Sequence, residues 1–565
     1  MPAPSPPEDV NESTRLLNAE NGSQPYGHGL PPQTSCNQNE QGCAIGDDNF
    51  PILSEPTTLQ LLKIMSGVYL GAFLAALDST LVATIAAPIS ASLNSMSLLS
   101  WLASSYFIAN AVSQPLSGKL TDIYGRKAGL ILCNASFATG NLMCGLAGTG
   151  WVLILGRVVA GFGGGGLVTI ATFVASDLVP LRKRGVWQGV ANICFGLGSG
   201  IGGVFGGWMS DAFSWRWAFV AQIPLTFLAG LLVSLMVKIS IEHDDRNQGK
   251  YQRIDVLGAV SLIASLVLML VGLNFGGDLV PWTHPLVLTT LSLSIVVFVA
   301  FIYVETQAEE PIIPVKLLLQ RTVWSACLTN WFITMARFGL LFYGPIYLQV
   351  QGYSATQAGL RFVPEAVGIA IMSIGSGIVM RWTGRYYLLN AFIEAIFVCS
   401  LGLTSTFTLD TPSWLPFLYF FLAGIGYSGM LTVTLVALIA AVDQKYQAVI
   451  TSASYAFRST GSTIGITVAS VVFQNILTPQ LWRRLGHEKN ASHIIKQVRN
   501  NLSAIKELPP VLREAAREAY MDALRGVFLI VLATAVLGAM MSLFMREHTL
   551  HRKLSRRRSS ASECT

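Results

Sequence analysis

GKLTDIYGRK, residues Gly118 to Lys127, lies between two apolar runs and decides how the rest of the chain is read. It joins a helix end, an acid, an aromatic ring, a glycine able to take positive φ, and two cations. Asp122 can meet the positive start of the following helix, and Arg126 and Lys127 face anionic lipid or a partner carboxylate. Charge alone would make this an ordinary basic loop beside a membrane. The joint pattern of Gly118, Asp122, Gly125, Arg126 and Lys127 is more particular than that.

On either side, apolar runs of about 20 residues recur from Leu61 to Phe544, the length that crosses a bilayer as a helix. The 565-residue chain is 52% hydrophobic and 12% charged, too little charge to cover a soluble surface of this size. The expected fold class is an all-α polytopic membrane protein with about fourteen spans. The first six run over 62–89, 98–118, 128–147, 151–174, 187–208 and 216–237, and a pair follows at 256–277 and 284–304. The last six run over 323–349, 357–380, 387–408, 414–441, 450–475 and 526–545. Six, two and six spans suggest two six-helix bundles with an inserted pair, and such halves are often repeats with a substrate site between them. The domains expected are a disordered tail at 1–60, bundles at 61–238 and 311–548, the inserted pair with its loops at 239–310, and a basic tail at 549–565. A basic Gly-Arg turn recurs as RWTGRYY (Arg381–Tyr387) after the tenth span, the counterpart of Gly118–Lys127 after the second.

Lys and Arg concentrate in the loops after even-numbered spans, with Arg216 the main exception, which puts both termini in the cytosol. The long loop at 476–525 then lies on the far side. It carries the sequon Asn490-Ala491-Ser492, a glycosylation candidate, and VLREAAREAYMDALRGVF (Val511–Phe528). The latter reads as an amphipathic helix lying on the membrane surface, or equally as a solvated helical connector. In the N-terminal tail, Glu12 followed by Leu16 and Leu17 fits an acidic dileucine sorting motif, which a sorting adaptor would read as a flexible peptide.

The eight Cys have no metal-ligand or disulfide spacing, and the seven His do not cluster. There is no Ser-His-Asp pattern and no phosphate-binding GxxxxGK[ST] loop, so the chain reads as a secondary transporter rather than an enzyme or an ATP-driven pump, with no metal and no cofactor. GFGGGG (Gly161–Gly166) and GSGIGG (Gly198–Gly203) satisfy a dinucleotide-binding pattern but lie inside spans, where glycines serve helix packing.

Within spans the charged residues identified are Asp78, Arg157, Arg337, Glu394 and Arg458. Each costs about 2.5–3.5 kcal/mol to insert, so each is expected to face protein or a water-filled cavity. Asp78, isolated in GAFLAALDSTLVATIAAPI (Gly71–Ile89), lies ~16 Å below the far end of its span, and Arg157 ~9 Å, by the helical rise. The two are expected to interact, directly or through water, either along the transport path or as a structural polar contact. Glu394 and Arg458, both ~12–13 Å from the cytosolic end, form a possible second pair. Tyr106, Gln114 and Tyr343 are further candidates for the proton and substrate path.

Gly118–Lys127 resembles the signature loop between the second and third spans of the major facilitator superfamily. LDSTLVATIAAPI, SWLASSYFIANAVSQPLSGKL, GRVVAGFGGGG, SWRWAFVAQIPL and GPIYLQVQGYSATQAGLRFVP resemble motifs of its fourteen-span drug:proton antiporters, over roughly residues 60–545. The resemblance implies a role for Arg157 in proton transfer. In the fifth span, Gly198, Gly202, Gly206 and Gly207 keep the antiporter spacing, whereas Gly203 stands where that motif has Pro, and Gln222 stands where drug exporters carry Asn. Together with YAFRSTGSTIGI (Tyr455–Ile466), the motifs look most like fungal vacuolar basic amino acid transporters. That resemblance implies import of Lys, Arg and His into the vacuole by proton antiport, a vacuolar membrane location and a monomer. A plasma-membrane exporter of drugs, toxins or secondary metabolites is the alternative, since it shares nearly all the same motifs.

Overall fold

The computed structural model describes residues 58–93, 97–179, 181–237, 256–276, 280–307, 315–442, 446–488, 490–500 and 502–548. The sorting motif at Glu12, Leu16 and Leu17 and the basic C-terminal tail lie outside them. The described residues are helical, joined by short turns. The first group comprises α1 (Thr58–Leu93), α2 (Ser97–Tyr124), α3 (Arg126–Gly145), α4 (Gly150–Leu178), α5 (Leu181–Ala212), α6 (Trp215–Val220) and α7 (Ile223–Met236). Next come α8 (Val256–Phe275), α9 (Pro285–Gln307) and the short α10 (Val315–Leu318). The last group comprises α11 (Arg321–Val350), α12 (Ala355–Thr383), α13 (Tyr387–Thr404), α14 (Leu415–Ala441), α15 (Gln447–Leu485), α16 (Ala491–Asn500), a 3-10 turn at Leu502–Glu507 and α17 (Pro510–Ser542).

Each of the fourteen expected segments falls on helix. Ten of the helical stretches among the described residues are long and apolar enough to cross a membrane, against the fourteen expected. The shortfall has a physical source. α2, α3 and α11 carry polar residues such as Asn110, Gln114, Asn134, Asn141, Asn330 and Arg337, which are buried against other helices rather than turned to lipid. α8 offers only the shorter apolar stretch Leu257–Leu273.

The packing repeats between the halves. α1 lies on α5, α2 on α4, α3 on α4, and α7 on both α1 and α3. In the same way α11 lies on α15, α12 on α14, α13 on α14, and α17 on both α11 and α13. The halves meet along two seams, α5 against α12 and α2 against α15, and α8 of the inserted pair touches both helices of the second seam. Prolines Pro88, Pro345, Pro364 and Pro479 lie inside helices, where the surrounding bundle supplies the contacts that a lone helix would lack.

Glycines set the first seam. On one side α5 presents Gly198, Gly202 and Gly206 to Phe73, Leu77 and Leu81 of α1. On the other it presents Gly200, Gly203 and Gly207 to α12: a Cβ on Gly207 would lie 2.7 Å from the Ala355 backbone, and one on Gly359 would collide with the Gly203 carbonyl. Gly203, in the place of the antiporter Pro, is thus a point of direct backbone approach between the halves.

One expectation needs correction. Val511–Phe528 does not lie on a membrane surface as a separate helix: it is the first half of α17, which continues unbroken to Ser542. Its buried stripe, including Tyr520, Leu524 and Val527, packs inside the protein; Tyr520 donates to the Val498 carbonyl at 2.8 Å, and Arg484 of α15 pairs with Glu518 and Asp522. The sixth expected span stands as one apolar stretch, Trp215–Met236, long enough to cross a membrane. It breaks at Ala221–Gln222 between α6 and α7.

Candidate functional site

The glycines of α4 bring it close to α2. Gly161 lies on the Tyr106 backbone, and Gly165 on Asn110 at 2.7 Å from its carbonyl to the Cβ that glycine lacks. That approach carries Arg157 into the centre of the first half. Its Nη1 donates to Asp78 Oδ2 at 2.6 Å, its Nε to the Leu102 carbonyl at 3.3 Å, and its guanidinium lies 4.1 Å from the Tyr106 ring centre. Asp78 and Arg157 are 0% and 1% exposed, so each charge depends on the other for compensation. The break between α6 and α7 adds a third partner: Gln222 Nε2 reaches Asp78 Oδ1 at 3.4 Å. Tyr106 donates its hydroxyl to the Ala75 carbonyl at 3.1 Å and so fixes the ring that covers the guanidinium. The structure therefore brings Asp78, Arg157 and Tyr106 together by direct contact.

A second buried ion pair lies in the second half, at its seam with the first. Arg337 Nε of α11 donates to Glu365 Oε1 of α12 at 2.9 Å, and Arg337 Nη2 donates to Ser199 Oγ of α5 at 3.0 Å. The rings of Tyr427 and Phe338 lie 4.5 and 5.2 Å from the guanidinium carbon. Arg337 Nη1 is buried with no acceptor. Glu365 and Ser199 also line a small cavity with Thr80 and Thr84 of α1, Gly200 and Gly203 of α5, and an apolar wall that includes Leu341, Phe362 and Ile369. The cavity has room for little more than a water molecule.

Sequence reasoning missed Glu365 and Arg361, although both fall inside the expected tenth span at 357–380. The signal was present as charges flanking Pro364 in LRFVPEAVG. Arg361 stacks on the Tyr353 ring at 3.6 Å and takes no part in the cavity. Ser199 was invisible, since a hydroxyl among the α5 glycines has no charge signature.

Glu394 and Arg458 do not pair. Glu394 is buried on α13, and neither carboxylate oxygen accepts a hydrogen bond among the described residues. Arg458 instead lies 4.9 Å from the Tyr455 ring centre on its own helix. α13 packs on α14 and α17, whereas α15 packs on α11, α17 and α2, so equal depth did not mean adjacency. Gln114 belongs to the second seam: its Nε2 donates to Asn110 Oδ1 at 2.7 Å, and Ser459 Oγ of α15 donates to its Oε1 at 3.0 Å. Tyr343 is buried against the Phe473 ring at 5.2 Å between centres.

In the opening stretch, Gly125 takes φ 101°, a left-handed conformation that favours glycine, and so turns α2 into α3. Arg126 then reaches Asp177 at the end of α4 at 2.9 Å, donates to Thr121 Oγ1 at 2.8 Å, and covers the Phe173 ring. Gly118 leaves room for that same ring, since a Cβ there would lie 3.1 Å from it. Lys127 is half-buried, and the side chain of Asp122 is outside the described ones. In the second half, Gly384 takes φ 68° at the matching turn, where the Tyr386 hydroxyl donates to the Arg546 carbonyl at 2.7 Å. Burial pushes that phenol above its usual range. Asn490 is exposed between α15 and α16.

The profile of the Major Facilitator Superfamily matches residues 68–466. The chain is 34% identical over 468 residues to "Multidrug resistance protein fnx1" of Schizosaccharomyces pombe, covering 82% of this chain and 88% of that one. It is 31% identical over 502 residues to "Vacuolar membrane amino acid uptake transporter fnx2" of the same yeast, covering 87% and 86%. "Efflux pump dotC" of Dothistroma septosporum is 30% identical over 449 residues, covering 79% and 77%. Among solved structures, a bacterial homolog of the human lysosomal transporter Spinster, inward-facing and unoccupied, matches the fold with a TM-score of 0.59 at 16% identity, over 87% of this chain and 98% of that one. With paired halves, a positive-φ glycine turn at matching places in each, and these matches over most of its length, the chain belongs to the Major Facilitator Superfamily as a multi-pass membrane transporter.

Proposed function

We propose that this transporter carries basic amino acids into the vacuole by proton antiport, with both termini in the cytosol and Asn490 facing the lumen. The observation that carries the reading is the Asp78–Arg157 pair, whose Asp78 lies on the same helix as two cavity-lining hydroxyls. Asp78 is two residues before Thr80 and six before Thr84 on α1. A proton on Asp78 removes the charge that compensates Arg157, so the α1–α4 contact weakens when the proton arrives and tightens when it leaves. α1 transmits that change to the cavity, where Thr80 Oγ1 donates to the Ser199 carbonyl at 2.8 Å. Asp78 itself does not line the cavity, which favours a coupling role over substrate contact. The relative named for vacuolar amino acid uptake supports the substrate class and the membrane, as does the dileucine pattern in the tail. Gln114 and Tyr343, with the uncompensated Glu394 and Arg458, are proposed to adjust the path rather than to bind the proton.

Uptake of labelled lysine into vacuole vesicles tests the reading. Expected is accumulation that depends on an acid-inside pH gradient and collapses with it. Uptake indifferent to the gradient would remove proton coupling, and no uptake in wild-type vesicles would remove the substrate class. The relatives named as a multidrug resistance protein and an efflux pump favour a second reading, export across the plasma membrane. A tagged chain at the cell surface, with drug sensitivity on its deletion, would select it.

A further inference from the structure

One buried acceptor beside Asp78 has nothing to accept. The break between α6 and α7 takes the helical donor away from the Ala218 carbonyl, because the Gln222 N–H bonds to the Phe219 carbonyl instead, at 3.2 Å. Gln222 replaces that donor from its own side chain. Its Nε2 donates to the Ala218 carbonyl at 3.0 Å, and the same nitrogen reaches Asp78 Oδ1 at 3.4 Å. The residue is 1% exposed, and its Oε1 is buried with no hydrogen-bond partner among the described residues. Exchanging the amide oxygen and nitrogen does not remove the orphan, since it would set the oxygen against a carbonyl and a carboxylate, both acceptors. The backbone here is fixed as well: the Gln222 carbonyl accepts from both the N–H and the hydroxyl of Thr226, each at 2.9 Å. An amide oxygen held buried in this way is rare in a folded protein and calls for a use.

We propose that Gln222 is a positioning residue for the proton on Asp78: its Oε1 accepts the hydrogen bond of the protonated carboxyl. The inference rests on Asp78 being the acid that couples the proton, and it names the group that receives its neutral form. The ionised carboxylate is served by donors, Arg157 Nη1 on one oxygen and Gln222 Nε2 on the other. A carboxylic acid needs the reverse, because its O–H must find an acceptor. The titratable groups that bear on Asp78 are Arg157 of α4, Tyr106 of α2 and Cys144 of α3. Arg157 has donors only, the Cys144 sulfur is a weak acceptor, and the Tyr106 hydroxyl is turned to the Ala75 carbonyl. The other helices packed on α1 add none. α7 has no titratable side chain, and Cys194 and Asp211 of α5 bear on Tyr69 and Thr356. Arg216 of α6 is held by the Ala147 carbonyl, and Arg337 of α11 and Glu365 of α12 hold each other. Gln222 carries its idle acceptor on the same planar amide whose nitrogen already touches Asp78. A protonated carboxyl released by Arg157 turns to that oxygen, so α1 exchanges its hold on α4 for one on the α6–α7 break.

The test is Gln222→Met, close to Gln in shape and without donor or strong acceptor, read in two ways. The first is lysine uptake into vesicles against luminal pH. Ionised Asp78 keeps Arg157 in this variant, whereas protonated Asp78 loses its acceptor. The pH of half-maximal uptake is therefore expected to fall by about one unit or more, a tenfold rise in proton concentration, with the maximal rate kept within about threefold. Uptake lowered at every pH with an unmoved midpoint would reduce Gln222 to a packing role. A midpoint moved to higher pH would mean that the amide serves the carboxylate alone, and would equally overturn the proposal. The second reading is infrared difference spectroscopy of the purified full chain on acidification. The band of the protonated carboxyl is identified by its loss in Asp78→Asn. It is expected to move to higher frequency in Gln222→Met, and an unmoved band would overturn the proposal. Where the Met variant does not fold, Gln222→Asn draws the amide back by one methylene and is expected to shift midpoint and band in the same directions. Failures separate: no carboxyl band lost in Asp78→Asn sinks the coupling reading, while such a band indifferent to residue 222 sinks the role of Gln222 alone.

Discussion

The two buried ion pairs use the same chemistry in opposite settings. Asp78–Arg157 lies within one half of the protein, with Gln222 on the free carboxylate oxygen, the Leu102 carbonyl on Arg157 Nε, and the Tyr106 ring over the guanidinium. Arg337–Glu365 lies within the other half but faces the first across the α5–α12 seam, with a nitrogen that has no partner among the described residues, a serine hydroxyl borrowed from α5 and a small cavity beside Glu365. A pair closed by its own bundle can respond to little larger than a proton. A pair left partly unsatisfied at a moving interface has bonding capacity for a ligand.

The comparison breaks most sharply at Asp78. Removing one member of a buried pair strands the other and costs about 3–5 kcal/mol. Asp78→Asn is expected to lower lysine uptake more than a hundredfold and to lower the unfolding temperature in detergent. Asp78→Asn with Arg157→Gln removes both charges, so stability is expected to return while uptake stays lost. Uptake restored along with stability would make the pair a packing device with no part in coupling.

The seam between the halves gives the next largest effect. Gly359→Leu forces a side chain into the Gly203 carbonyl, a contact between two backbones that neither helix can relieve by turning a rotamer. Overpacking of this kind costs about 1–3 kcal/mol, and it acts on the interface that alternating access must close. A roughly tenfold loss of uptake is expected with near-normal amounts of protein in the membrane. Gly377→Leu, on the same helix with nothing within 4 Å, is the control and is expected to be silent. Equal losses in both would show that α12 tolerates no bulk anywhere, and the seam would lose its special standing.

These pairs also show what a sequence can and cannot carry. Asp78 was legible because an acid alone in an apolar run has a cost that demands a partner, and depths within the reach of an arginine side chain pointed to Arg157. Depth fixes height along a helix and leaves the facing direction open. The same reasoning therefore joined Glu394 to Arg458, whose helices α13 and α15 both pack on α17 but do not pack closely on each other. Glu365 stood in the expected tenth span and was passed over, and the contact of its partner Arg337 with Ser199 depends on how two bundles dock, for which no local pattern exists. The amphipathic stripe of Val511–Phe528 was read correctly as a stripe and assigned to the wrong surface. An apolar face of period 3.6 has the same sequence whether it meets lipid or another helix. The glycines of α5 announced close packing, and only the structure divides them into a face for α1 and a face for α12.

Glu394 sharpens the comparison from the other side, because it is a buried acid with no ion-pair partner among the described residues. Neither oxygen accepts a hydrogen bond, and no ion pair is lost when its charge is removed. Glu394→Gln keeps the shape and exchanges one unsatisfied polar group for another, a change expected to stay within about 1 kcal/mol. Uptake within twofold of wild type is expected, with an unmoved pH profile. A tenfold loss together with a shifted profile would mean that an acid can couple protons here without a paired arginine. The distinction drawn from Arg157 would then fail, and the search for the proton site would move to α13.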